Sequence, residues 1–218
     1  MQEGMAPLPA TTPKTCCARE SGRLDGGPRR QIWNPAHAST DFRGILGVVS
    51  SFVQLSTPNL TLLPFDAQTA RAVVNGDLSS LSPAEGWPHE DTVDGLSGAV
   101  KYGWPAGWMV MLEGKIIGDC GTHGPANSDG VIEIGYGLAA PFRGRGFGTE
   151  LVGAASQWLL GQPDVRAVIA TTLVANVASR RVLEKNAFVL SGFDDEGQAV
   201  YRLSAPSGGW SPSHDGTP

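Results

Sequence analysis

Apolar side chains fall into short runs and helical spacings from about residue 58 to residue 204, while the residues on either side show no sustained period. Within that span, residues 60–63 form an apolar run that predicts a strand. Asp66 is placed to cap a helix through Ala67, Ala70, Val73 and Val74, which Asn75-Gly76 ends. A second helix is predicted over residues 90–100. Runs at 108–112 and 115–120 flank Glu113-Gly114, a compact turn, and so predict a hairpin. A turn at 127–130 leads into a strand at 131–138. Next comes a Gly-rich stretch and a helix carrying Leu151, Val152, Ala155, Trp158 and Leu159 at helical spacing. A strongly apolar strand at 165–173, a helix at 178–185 and a hairpin of 188–193 with 199–203 complete the pattern. The order predicts an α/β (α+β) domain, with crossover helices on a largely antiparallel sheet.

Residues 1–57 are rich in Pro, Gly, Ser and Thr and contain the breakers Gly26-Gly27-Pro28 and Asn34-Pro35, so they read as a disordered leader. Residues 205–218 have the same character and read as a flexible tail, which leaves one domain at 58–204. The 218-residue chain has a formal charge of -5 and a pI near 5.3. It has no long basic block of the kind that follows a nucleic-acid backbone, and an acidic surface favours a cationic substrate such as an amine. Cys16, Cys17 and Cys120 offer neither a disulfide framework nor a paired metal-binding motif, which fits a reducing cytoplasm and no metal. The apolar stretch at 45–55 is too short to span a bilayer and is interrupted by Gly47, Ser50, Ser51 and Gln54. No export signal is visible at the start of the chain, and neither a membrane nor a nucleic-acid partner is expected.

The most informative stretch is Arg143, Gly144, Arg145, Gly146, Phe147, Gly148 and Thr149, set where a strand ends and a helix begins. There, backbone N–H groups and the positive end of the helix converge on an anion, and the glycines permit close approach. Taken alone, the loop has a plainer alternative as a tight strand-to-helix connection. A dinucleotide fold would need G-x-G-x-x-G near the start of a β-α-β unit, and a P-loop needs Lys then Ser or Thr after its second glycine; neither is present. The loop resembles the R-x-x-G-x-G coenzyme A signature of the GNAT acetyltransferases. The preceding residues 133–141 are similar to that family's fourth strand. Downstream, Asn176, Ser179, Val182, Leu183, Glu184, Lys185 and Phe188 resemble the N-x-x-S-x-x-V-L-E-K-x-G-F helix of its ribosomal-protein N-terminal acetyltransferase branch.

The resemblance implies a six- to seven-stranded sheet flanked by about four helices, with acetyl-CoA as acyl donor to a primary amine on a small molecule or a peptide N-terminus. It places pyrophosphate on residues 143–149 and pantetheine beside Gly137, Leu138 and Ala139, with Asn176 and Ser179 facing the pantetheine and its sulfur. An amide near Leu138 would polarise the thioester carbonyl. Glu133 is the implied general base, read alternatively as an exposed strand residue, and Asn176 serves equally as a helix cap. Trp87 and Tyr136 are the expected acceptor-pocket residues, with His89 and His123 as further candidates whose ordinary roles lie in packing and turns. Two departures stand out: Leu183 occupies the place of the usual Tyr acid, and Ala187 replaces the usual Gly before Phe188. The first leaves a non-catalytic acyl-CoA sensor as the alternative. A homodimer is a further family-level implication.

Overall fold

The structure is a computed structural model that describes residues 51–205. The expected leader up to residue 50 and the expected tail from residue 206 lie outside the described residues. Eight strands form one sheet: β1 (Leu55–Ser56), β2 (Thr61–Pro64), β3 (Trp108–Leu112), β4 (Lys115–Thr122), β5 (Val131–Leu138), β6 (Ala167–Thr172), β7 (Val189–Phe193) and β8 (Ala199–Ser204). Their spatial order is β1-β2-β3-β4-β5-β6-β8-β7. Only β5 and β6 run parallel, joined by α3 (Phe147–Leu160) as the crossover helix. The expected count of six to seven strands is corrected by two-residue β1, which pairs Leu55 with Leu62 and Ser56 with Thr61. It lies inside the stretch read as leader, so the fold begins before residue 58.

Local chemistry sets the element ends. Asp66 Oδ1 accepts the Thr69 N–H at 2.7 Å and starts α1 (Ala67–Val74). Helix α2 (Glu90–Tyr102) stops at Gly103, whose φ of 75° is the left-handed conformation that ends many helices. Both central residues of the β3–β4 turn, Glu113 and Gly114, have positive φ, as a two-residue hairpin requires. Trp108, Val110, Ile116, Ile117, Ile132, Ile134, Leu151, Val152, Leu159, Val168 and Tyr201 are buried in one core.

Strand alternation divides the sheet into two faces around the site. Asp119 on β4 pairs with Gly137 on β5, and Thr92 of α2 donates to Asp119, so this face carries α1 and α2. The preceding residue of β5, Tyr136, reaches Ser179 of α4 (Val177–Lys185), so the other face carries α3 and α4.

Candidate active site

Strand β5 changes partners along its length. Val131, Ile132 and Glu133 pair with Ala167, Val168 and Ile169 of β6, whereas Ile134 to Leu138 are laddered only to β4. Beyond Glu133 the two parallel strands splay, and the β6-facing edge of β5 is left without a strand. The amide of Ala139 bonds Ile117 O on the β4 side. By alternation the Leu138 amide turns toward the opening. The Leu138 carbonyl on that edge accepts Arg143 Nε at 2.7 Å.

The glycine loop stands at the mouth of this opening. Gly146 is the residue before α3, with φ 89° and no side chain to cap the first turn. Gly144 has φ 72°, and a Cβ added at either glycine would meet no atom within 4 Å. The loop therefore presents bare backbone to open space, as a phosphate-sized anion at a helix start needs. Arg145 lies over the rings of Phe147 and Phe142, 5.0 and 5.8 Å from their centroids, which holds its guanidinium beside the loop. Arg143 has a different position, bonded back to the strand end rather than extended over the loop. Gly148 faces α4, where an added Cβ would make ordinary contact with Val182 at 3.4 Å.

On the α2 face, glycines at 135 and 137 clear the floor. A Cβ on Gly135 would meet the His123 ring at 2.8 Å, and one on Gly137 would meet the His89 ring at 3.2 Å. Glu133 lies at the closed end of the opening, its Oε1 3.7 Å from His123 Nδ1, with both side chains reachable by solvent. Near the mouth is a carboxylate that the sequence reading did not select. Half-buried Asp119 accepts Trp87 Nε1–H at 2.7 Å and the Thr92 hydroxyl at 2.6 Å, both on Oδ2. Burial pushes its pKa up to about 6, with the two hydrogen bonds opposing that shift. Thr92 Oγ1 also accepts the His89 N–H at 3.3 Å. Burial, and then the charge of Arg143, hold the His89 imidazole below its ordinary pKa. Trp87 is buried in the core, and its indole edge serves as a donor to Asp119.

On the α4 face, Tyr136 and Ser179 share a hydrogen bond of 2.7 Å between their hydroxyl oxygens. Asn176 Oδ1 accepts the Ser179 N–H at 3.1 Å and caps α4. Leu183, one turn further on, is fully buried. The structure thus groups Glu133, Trp87, His89 and His123 on one face and Tyr136, Asn176 and Ser179 on the other. Trp87 and Tyr136 thus make their hydrogen bonds on opposite faces of the sheet. The signal that would have revealed Asp119 is its position as the lone acid within the apolar run of residues 116–120.

Residues 59–189, more than half of the chain, match the profile of the acetyltransferase (GNAT) domain family. The chain belongs to the GNAT acetyltransferases. Among curated proteins it is similar to YjdG of Bacillus subtilis strain 168, an uncharacterized N-acetyltransferase, with 28% identity over 86 residues. These residues are 38% of this chain and 51% of that protein, so the chain matches about half the length of that curated relative. Among solved structures, the acetyltransferase from Agrobacterium tumefaciens strain C58 is 23% identical with a TM-score of 0.51, over 71% of this chain and 95% of that one. The ribosomal L7/L12 alpha-N-protein acetyltransferase RimL in complex with coenzyme A is 18% identical with a TM-score of 0.53, over 70% and 98%. AAC(6')-Ib in a complex containing acetyl-CoA is 22% identical with a TM-score of 0.50, over 68% and 94%. At these identities the likeness concerns the fold. Among the described residues no helix is long and apolar enough to cross a membrane, and no group of three metal-ligating side chains is present.

Proposed function

We propose that this chain transfers an acetyl group from acetyl-CoA to a primary amine of a small molecule or a peptide N-terminus. The observation that carries this reading is the splay of β5 from β6 beyond Glu133, with the bare glycine loop and the start of α3 at its mouth. Open space at Gly144 and Gly146 fits a pyrophosphate, with Arg145 beside it as counter-charge. Gly137, Leu138 and Ala139 line the strand edge where a pantetheine arm would lie. Bound acetyl-CoA would supply the thioester.

The protein's part is positioning and proton handling. The Leu138 amide donates to the thioester oxygen, where negative charge grows as the amine attacks. Glu133 takes the ammonium proton directly or through water, because only the neutral amine is nucleophilic. Asp119 adds a second carboxylate on the same face, set opposite Gly137. The complexed relatives, one acting on a ribosomal protein and another bound to acetyl-CoA, are compatible with either acceptor class. A non-catalytic acyl-CoA sensor is the second reading, favoured by the buried Leu183 at the usual acid position.

Thiol release from acetyl-CoA, measured against aliphatic diamines, amino sugars and peptides with free N-termini, separates the two. The acetyltransferase reading expects at least one class to drive release above hydrolysis. It also expects Glu133→Gln to lower kcat by about 100-fold, the scale of one general base. Binding without thiol release from any class would leave the sensor.

A further inference from the structure

The α4 face holds a hydroxyl pair that the proton handling above does not use. Tyr136 Oη and Ser179 Oγ stand 2.7 Å apart, and either atom can be the donor. A phenol is more acidic than an alcohol, so the stronger arrangement has Tyr136 donating and Ser179 accepting. The Ser179 carbonyl also lies 3.4 Å from Tyr136 Oη, a longer and weaker contact than the one between the two hydroxyls. Ser179 N–H is taken by Asn176 Oδ1. With its oxygen accepting from Tyr136, the Ser179 hydroxyl hydrogen is left to point elsewhere. Ser179 is buried, lies in the first turn of nine-residue α4, and is followed one turn later by Leu183, which can supply no proton. A helix start favours nearby negative charge, and exclusion of water strengthens a hydrogen bond to it.

We infer that Tyr136 is a positioning residue for the leaving thiolate: it donates to Ser179 Oγ and so directs the Ser179 hydroxyl at the sulfur of coenzyme A. The inference rests on the acetyltransferase reading. As the N–C bond forms, the C–S bond breaks and its electron pair goes to sulfur, which accepts the Ser179 hydrogen bond. The proton lost by the amine goes to the carboxylate side of the sheet, and the sulfur is finally protonated from water. Ser179 thus gives the sulfur a hydrogen bond from α4 while Tyr136 orients it from β5, and no phenol is needed at Leu183 for that contact.

The test compares the affinities of coenzyme A and desulfo-coenzyme A by calorimetry at mildly alkaline pH, for the parent chain, Tyr136→Phe and Ser179→Ala. Desulfo-coenzyme A keeps every contact except those of the sulfur, so the ratio of the two affinities reports on the sulfur alone. The parent should bind coenzyme A about tenfold more tightly, the scale of one hydrogen bond to a charged group. Ser179→Ala should bring the ratio to about one, and Tyr136→Phe should lower it by about threefold while leaving desulfo-coenzyme A affinity unchanged. A parent ratio near one, or a Tyr136→Phe ratio equal to the parent's, overturns the inference. So does a Tyr136→Phe chain that loses affinity for both ligands alike, since the hydroxyl would then be structural. If the folded parent binds neither ligand, the coenzyme A reading itself fails, which is a separate result.

Discussion

Asp119 carries the clearest tension at the scale of one residue. Its carboxyl is half-buried, with two neutral donors and a pKa pushed up to about 6. A carboxyl raised above its unfolded value stabilises the fold while protonated, and that contribution is lost as pH rises through 6. Allowing for partial exposure, the loss between pH 4 and pH 7 is on the order of 1–2 kcal/mol. Asp119→Asn keeps an oxygen acceptor for Trp87 and Thr92 and cannot ionise. Urea unfolding should therefore show the variant's stability changing less than the parent's between those pH values. Parallel curves for the two chains would contradict the assignment. Glu133 was visible as a candidate because it sits in a recognisable strand motif. Asp119 was not, because an acid inside an apolar strand looks like a solvent-facing interruption until the partner helix is known. The face of Tyr136 was in fact written in the alternation of Ile132, Ile134, Tyr136 and Leu138 against Glu133, Gly135 and Gly137. The phenol chemistry that made Tyr136 an acceptor-pocket candidate carries no information about its face.

Among the elements, α4 shows how a departure from the family pattern is absorbed. Phe188 N–H bonds Leu183 O, and Ala187 N–H bonds Glu184 O, both at 3.1 Å. This is the paired closure of a helix end that places the residue at 187 in the left-handed region, and Ala187 has φ 61°. Buried Leu183 and Phe188 close the same turn from its apolar side. An alanine in that region is strained by roughly 1–2 kcal/mol, and glycine gives back part of the gain through its freer unfolded chain. Ala187→Gly should accordingly stabilise the protein by about 0.5–1 kcal/mol, a rise of a few degrees in Tm by calorimetry. A lower Tm would show that the turn does not need glycine. The sequence exposed this position through the residue that was missing from it. Helix and strand limits were legible for the same kind of reason: Asp66, Gly103 and Glu113-Gly114 are local signals acting on their own neighbours.

At the scale of the whole molecule, the unread part is the start of the fold. Phe52 is buried against Trp108 and Trp158, with ring centroids at 4.3 and 5.3 Å. Trp108 Nε1 donates to Val53 O at 2.7 Å. Glu150, in the first turn of α3, accepts from Thr57 and from both the backbone and side chain of Asn59. These contacts join residues 55 or more positions apart, so no local period in residues 51–57 announces them. Phe52→Ala should destabilise the full chain by about 3 kcal/mol, as the loss of a buried aromatic does. An unchanged urea midpoint would return the segment to the leader. The same contacts matter for the site, because Glu150 ties the entering chain to the helix whose first turn faces the glycine loop. That loop and the splay beside it form the proposed acetyl-CoA site. The measurement that tests them most directly is calorimetric titration of acetyl-CoA into the parent chain and Gly146→Trp, with circular dichroism confirming that both are folded. The parent should bind, and the variant should not, because its side chain would fill the open space above the loop. A folded parent that does not bind acetyl-CoA, or a folded variant that binds as tightly as the parent, would contradict that assignment.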